Sequence, residues 1–383
     1  MSWPMVKLGS LCQIVRGSSP RPKGDPRYYG GTVPRLMVGD VTRDGKVVTP
    51  KIDFLTGEGA TKSRPMKRGD FVVAVSGQPG QPCMLAVDAC IHDGFAGLRD
   101  LDISRIDKDY LYQFMLYTKH KLSSSAVGAI FKNLTTDQLR ELEIPLPPLD
   151  EQKRIAAILD KADAIRQKRK QAIVLADEFQ RSVFLDMFGS DLVRDSNRVN
   201  FGDVTVLDAK MVDPRQDEYL DLLHIGPDRI QKNTGKLLPA LTAREEGLIS
   251  KKFFFNNQYV LYSKIRPYLR KAAIPEFSAL CSADMYPVKP IEGKATREFI
   301  WMLLLSDLFD NYVASLPDRA NIPKLNKKEL AAFEFSLPEF EKVKQFSQIV
   351  KQNRKGLHSM EVAASTAEIN FNALSQKAFS GQL

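Results

Sequence analysis

The sequence predicts an α+β protein: two globular domains in tandem repeat, joined by two long antiparallel helices that form a coiled coil. Three observations predict it. After Pro147-Pro148, nearly forty residues run to Gly189 without a Gly or Pro. A second long run with apolar residues at helical spacing follows Pro338. The phrases that introduce the runs, Leu146-Pro147-Pro148-Leu149-Asp150 and Leu337-Pro338-Glu339-Phe340-Glu341, lie 191 residues apart (337 − 146). The chain therefore reads as globule, rod, globule, rod.

The first globule is residues 1–145. Its short strand candidates are separated by Pro, Gly, Asn and Asp, which predicts mixed structure with many loops. Residues 16–35 form a basic, aromatic, Gly/Pro-rich loop. Residues 69–75 are an apolar run entered by a polar turn, hence a central strand. Residues 110–117 read as a helix before the closing segment, in which Leu134-Thr135-Thr136-Asp137-Gln138-Leu139 starts a short helix and residues 142–146 a strand.

The first helical spacer is residues 146–190. Its prolines stop what precedes them, because proline lacks an N–H and restricts its neighbour. Ile155, Ile158, Ala162, Ile165, Ala172, Ala176, Phe179 and Val183 then recur at coiled-coil spacing, with Arg169 alone out of character. At 1.5 Å per residue the rod is roughly 58 Å long. Gly189 tolerates the left-handed turn that ends a helix.

The second globule, residues 191–336, repeats these features. Val199-Asn200-Phe201-Gly202-Asp203-Val204 resembles Val6-Lys7-Leu8-Gly9-Ser10-Leu11, residues 257–263 parallel 69–75, and 299–308 read as a helix. Leu325-Asn326-Lys327-Lys328-Glu329-Leu330 stands 191 residues (325 − 134) after its first-copy counterpart. The second spacer, residues 337–383, carries Val343, Phe346, Val350, Leu357, Met360, Ala364, Ala367, Phe371, Leu374 and Ala378 as its stripe. Asn353 is its one polar member, a residue that fixes register in such seams. Neither helix can bury its stripe alone, so each is expected to bury it against the other.

Composition narrows the function class. Fifty-five Lys and Arg against 46 Asp and Glu leave a net charge of +9, which favours an acidic partner such as nucleic acid. There is no signal-peptide pattern and no stretch of eighteen apolar residues, which predicts a cytoplasmic protein with no membrane partner. The four cysteines lack CxxC spacing, so no disulfide framework or zinc ribbon is indicated.

The motifs of catalysis are missing. No glycine-rich loop ends in Lys-Ser or Lys-Thr to cradle phosphate. The Gly-rich methyl-donor pocket and the Asn-Pro-Pro-aromatic tetrad of an amino-methyltransferase are absent too. Four histidines without a His-x-x-x-His pair argue against a hydrolytic zinc site. Asp208-Ala209-Lys210 and Glu292-Gly293-Lys294 fit an acidic-x-Lys nuclease pattern, but such triplets arise by chance in a chain with 26% charged residues. The residues read as a DNA reader or scaffold; a nuclease with a cryptic site is the enzyme alternative.

Two globules alternating with two similar helices, each introduced by a Leu-Pro phrase, resemble the specificity (S) subunit of type I restriction–modification systems. The resemblance is most specific at residues 144–158, Ile-Pro-Leu-Pro-Pro-Leu-Asp-Glu-Gln-Lys-Arg-Ile-Ala-Ala-Ile. The second copy departs from it, with Glu341-Lys342-Val343-Lys344-Gln345-Phe346 in the equivalent place. The resemblance implies a subunit that does no catalysis itself. Residues 1–145 and 191–336 would be target recognition domains, each reading one half of a bipartite, gapped site in double-stranded DNA. The helices would act as a ruler, since roughly 58 Å spans about 17 base pairs at 3.4 Å each. Partners would be two methyltransferase (M) subunits and, through them, restriction (R) subunits. No cofactor is expected in this chain; S-adenosylmethionine, ATP and Mg²⁺ would be used by the partner subunits. A degenerate subunit serving only as a scaffold is the alternative within the family.

Candidate DNA contacts follow from side-chain chemistry. Arg pairs bidentately with guanine or phosphate, Ser donates to phosphate, and Tyr stacks or hydrogen-bonds. In the first globule these are Arg16, Ser18, Lys23, Arg27, Tyr28 and Arg35. In the second, the segment after the central strand supplies Lys264, Arg266, Tyr268, Arg270 and Lys271, the most concentrated basic motif in the chain. The approach to the closing segment supplies Arg319, Asn321 and Lys324. Gln78 and Gln81 have the chemistry to read adenine, but their Gly/Pro turn gives them an equal structural reading. Residues 166–170, Arg-Gln-Lys-Arg-Lys, are expected to form a solvated face of the rod, with contact to DNA backbone or a methyltransferase subunit as the alternative.

Overall fold

The computed structural model describes residues 3–124, 134–317 and 323–383. The chain divides into two compact units, Met1–Arg169 with Ala363–Leu383, and Lys170–Val362. The division falls within both long helices, so each unit holds part of each.

In the first unit the elements run β1 (Met5–Lys7), β2 (Gln13–Arg16), β3 (Tyr29–Leu36), α1 (Val38–Asp44), β4 (Val47–Val48), β5 (Asp53–Leu55), α2 (Gly57–Thr61), β6 (Arg64–Met66), β7 (Phe71–Ala74), β8 (Pro82–Leu85), β9 (Ala89–Ile91), β10 (Phe95–Arg99), α3 (Lys108–Ser124), α4 (Thr136–Arg140) and β11 (Glu143–Pro145), before α5 (Leu149–Phe188) begins. One sheet has the order β2–β10–β7–β8–β4 and a second β5–β3–β9–β6. Strand β7 is buried at every residue, as its unbroken apolar sequence predicts for a central strand. Strand β1 pairs with β11, Val6 opposite Ile144, tying the globule's first strand to its last.

The second unit repeats the plan with β12 (Arg198–Asn200), α6 (Phe201–Val204), β13 (Thr205–Val206), β14 (Met211–Val212), α7 (Asp217–Leu220), β15 (His224–Ile225), β16 (Lys252–Phe255), β17 (Val260–Ser263), β18 (Ala272–Ala273), β19 (Ala279–Cys281), β20 (Met285–Pro290), α8 (Arg297–Leu304), α9 (Asp307–Ser315), α10 (Lys327–Ala331), β21 (Glu334–Ser336) and α11 (Phe340–Phe379). Its sheet β13–β20–β17–β18 reproduces β2–β10–β7–β8. The second sheets correspond as well, each containing one parallel pair, β3–β9 and β15–β19. Strand β12 pairs with β21 as β1 does with β11. The short helices α4 and α10 start on the same device. The side chains of Thr135 and Asn326 accept from the backbone three residues on, and Gln138 and Glu329 reach back. This capping box is what the two hexapeptides have in common.

Within each unit the two helix segments run antiparallel. In the first, Arg154 donates to the carbonyl of Leu383 and Arg166 to Glu368. Phe379 of α11 packs against Tyr110, Phe114 and Tyr117 of α3 at 5.1–5.5 Å between ring centroids. In the second, Asn353 donates to the carbonyl of Ala176 at 2.8 Å, the register role its place in the stripe predicts. Phe184 and Phe188 of α5 meet Phe346 of α11 and Phe299 of α8 in one buried aromatic cluster.

The phase of the first stripe differs from expectation. Ile165 and Phe179 are 52% and 49% exposed, while their neighbours Arg166 and Gln180 are 4% and 1% exposed. Gln152, Leu159, Arg166 and Gln180 are buried at heptad spacing, so the helix buries the row one residue beyond Ile158, Ile165 and Phe179. Burial of Arg166 is compensated by Asp163 and Glu368 and by the ring of Phe371, 4.2 Å below its guanidinium. Arg166 thus leaves the solvated face predicted for it, whereas Gln167, Lys168, Arg169 and Lys170 are exposed.

Candidate nucleic-acid interface

In the second unit, strand β17 delivers the chain into Lys264, and two sequence segments meet there. Ile265 forms a β-bridge with Lys324. The N–H of Leu325 donates to the carbonyl of Lys264, and that of Arg266 to the carbonyl of Pro323, both at 2.8 Å. The basic motif at 264–271 and the candidate at Lys324 therefore form one surface. Arg319 and Asn321 lie outside the described residues.

Arg266 and Arg270 bracket a single turn, Pro267–Leu269, and both are left-handed, with φ of 47° and 48°. Non-glycine residues there cost of order 1–3 kcal/mol, strain that persists only where surrounding structure enforces it. The enforcing contacts are visible. Arg270 donates to Asp307 and Asp310 in the first turn of α9, each at 2.8 Å, and these carboxylates raise its pKa further. Lys271 Nζ donates to the carbonyl of Pro227 and Lys264 Nζ to that of Ala283, each at 2.6 Å. Three of the motif's cations thus hold the turn. Arg266 is exposed, with no side-chain partner among the described residues, and Tyr268 is 58% exposed. The Lys324 side chain is 56% exposed, 3.8 Å from Asp284. The surface offered to a ligand is Arg266, Tyr268 and Lys324.

The loop of the first unit sorts in the same way. Arg35 is 6% exposed; it donates to Asp53 at 2.5 Å and to the Ser19 hydroxyl at 2.8 Å, over the ring of Tyr29. The Ser19 hydroxyl in turn donates to Asp93 at 2.6 Å. Tyr28 is 4% exposed, with the ammonium of Lys62 4.4 Å from its ring centroid. The Ser18 hydroxyl donates to the carbonyl of Lys62, and its own carbonyl accepts from Ser63. These three candidates anchor the loop. Arg16, Lys23 and Arg27 are exposed. Arg27 is held in a fork by Asp25, whose carboxyl it keeps below the usual range. Among the described residues, no hydrogen bond or ion pair joins Arg16, Lys23 and Arg27 into one cluster.

Beside this loop His92 accepts the Gly94 N–H through Nδ1 at 2.9 Å. Burial, and then the nearby Arg35, push its pKa below the usual histidine value, with Asp93 and Asp53 opposing them. Local patterning gave no sign of Ser19, Asp53, Asp93, Asp307 or Asp310, because each is recruited by a partner distant in the chain. Gln152 is a further anchor. It is fully buried on α5, accepts from Asp107 N–H at 2.8 Å, and donates to the carbonyls of Arg105 and Pro147. Its place in the Asp-Glu-Gln-Lys-Arg-Ile phrase was the one available signal.

Comparison with known proteins agrees with this architecture. Residues 2–175 match the type I restriction modification DNA specificity domain. Over 318 residues the chain is 24% identical to the type I restriction enzyme EcoDI specificity subunit of Escherichia coli, covering 73% of this chain and 70% of that protein. The fold is similar to the crystal structure of the type I restriction–modification S subunit from M. genitalium, with a TM-score of 0.57 at 14% identity, over 99% of this chain and 96% of that one. It is also similar to a chain solved in a study of complex assembly and conformational transition of the type I R-M system, with a TM-score of 0.52 at 18% identity, over 100% and 98% of the two chains.

Proposed function

Because this chain belongs to the family of type I restriction–modification specificity subunits, we infer that it is the DNA-recognition subunit of such a complex and leaves the chemistry to its partners. Residues 1–145 and 191–336 act as recognition domains, one for each half of a bipartite, gapped site in double-stranded DNA. Residues 146–190 and 337–383 are the spacers that set the gap. Two methyltransferase subunits dock on the chain, and restriction subunits join through them. The place of action is the cytoplasm, with the DNA.

One observation carries the reading. At the exit of a buried central strand, a turn strained into the left-handed region presents Arg266 and Tyr268 beside Lys324, while neighbouring cations are spent on holding the turn. Arg can pair with guanine or phosphate and Tyr can stack or hydrogen-bond. In the first domain Arg16, Lys23 and Arg27 are the contacts, and Ser18, Tyr28 and Arg35 shape the loop that carries them. For partner docking, α5 offers Leu175 and Phe179, one helical turn apart and 55% and 49% exposed.

The test is long-read methylome sequencing of cells expressing this chain with its cognate methyltransferase subunit. A gapped, two-part, adenine-methylated motif that vanishes on deletion of this chain is the expected result. No motif, with both proteins soluble and co-purifying, would favour the scaffold.

A further inference from the structure

The turn that follows β7 in the first unit has the same hydrogen-bond frame as the Arg266 turn. Ala74 N–H donates to the carbonyl of Gln81 as Ser263 N–H does to that of Lys271. Val75 N–H donates to Gly94 as Lys264 N–H does to Asp284, and the carbonyls of Val75 and Lys264 accept from Leu134 and Leu325. Even the strained positions correspond. Gly77 and Arg266 each stand three residues beyond the end of their strand, and Gly80 and Arg270 each directly precede the closing residue. All four have positive φ, at 74°, 47°, 83° and 48°. Glycine adopts that conformation without penalty, so the first turn forms without the ion pairs that hold Arg270.

Between the left-handed positions lie Gln78-Pro79 in one turn and Pro267-Tyr268-Leu269 in the other. Gln81 is engaged: its carbonyl oxygen accepts from Lys119 at 2.6 Å, and its amide faces the carbonyl of Pro82 at 3.3 Å. Gln78 is exposed and makes no side-chain hydrogen bond among the described residues. A glutamine amide matches one base edge well, because its oxygen accepts from adenine N6 while its nitrogen donates to N7.

We propose that Gln78 does for the first domain what Arg266 and Tyr268 do for the second, and that it reads an adenine in the first half-site. This rests on the DNA-recognition reading above, and goes beyond it by naming a residue and a base. The two half-sites are then read by different chemistry from one frame, a neutral amide in the first domain and a cation with an aromatic ring in the second.

The test uses the full chain with its methyltransferase partner, read by methylome sequencing and by duplex binding with each base pair varied in turn. For Gln78→Ala the gap, the second half-site and methylation persist, while preference at one A·T pair of the first half-site falls about tenfold. Gln78→Glu, of nearly the same size, shows the same relaxation, since a carboxylate cannot donate to N7. Arg266→Ala changes only the second half-site. A wild-type motif whose first half is untouched by both Gln78 variants overturns the proposal alone, as does relaxation confined to a G·C pair. Absence of any gapped motif in the wild type overturns the recognition reading on which it rests.

Discussion

At the scale of single residues, burial divides the basic side chains into those that build the interface and those that face outward. Arg35, Arg166 and Arg270 are satisfied by carboxylates of this chain; Arg266 has no such partner among the described residues. Arg266→Ala is therefore expected to weaken binding to the cognate duplex by about 1–3 kcal/mol and to relax one position of the second half-site. A binding titration at fixed salt checks it; unaltered affinity and motif would remove this turn from the interface. His92 yields a prediction about pH. Its pKa is lowered in the fold, so the unfolded chain takes up the proton first as pH falls. The stability it contributes is present in full above its unfolded value of about 6.5 and is lost as pH drops from there through the folded pKa. Melting temperature should therefore fall as pH drops below about 6.5, and His92→Gln should make that fall shallower. An identical slope in the variant would show that His92 is not the titrating group.

At the scale of elements, α5 does different work on neighbouring faces. Phe184 is 1% exposed within rings from α8 and α11. Its replacement by Ala should cost about 3–5 kcal/mol, because the surrounding rings collapse only partly into the space. Denaturant unfolding measures this, and a loss below about 1 kcal/mol would mean that the cluster repacks. Phe179, five residues earlier, is half exposed. Phe179→Asp should leave unfolding nearly unchanged while weakening co-purification with the methyltransferase subunit. Retained co-purification would place the docking surface elsewhere on the chain.

At the scale of the whole molecule, the duplication is the main fact. The 40 residues of α5 give a length of about 60 Å at 1.5 Å each. If the helices set the gap, inserting four residues after Ala172 adds about 6 Å and just over one helical turn, so the stripe nearly keeps its face. The methylated motif should then widen by one or two base pairs, with both half-sites unchanged. An unchanged gap would remove the ruler role from these helices.

The repeat, the long helices, the buried central strands β7 and β17 and the short helix starts at residues 134–139 and 325–330 were all legible in the sequence. Each rests on local rules: proline and glycine as stops, apolar period, and polar helix starts. The basic turn at 264–271 was legible as chemistry but not as geometry. Tertiary structure alone decided that Ile265 meets Lys324, that Arg270 is spent on Asp307 and Asp310, and that Arg35 and Tyr28 turn inward. It also moved the seam from Ile165 and Phe179 to Arg166 and Gln180. The physical reason is common to all of these. A side chain's availability depends on partners tens of residues away, and a seam's phase depends on what the opposing surface can accommodate. Periodicity and composition specify which elements form, while the pairing of charges and the packing of the core specify which of their side chains remain exposed.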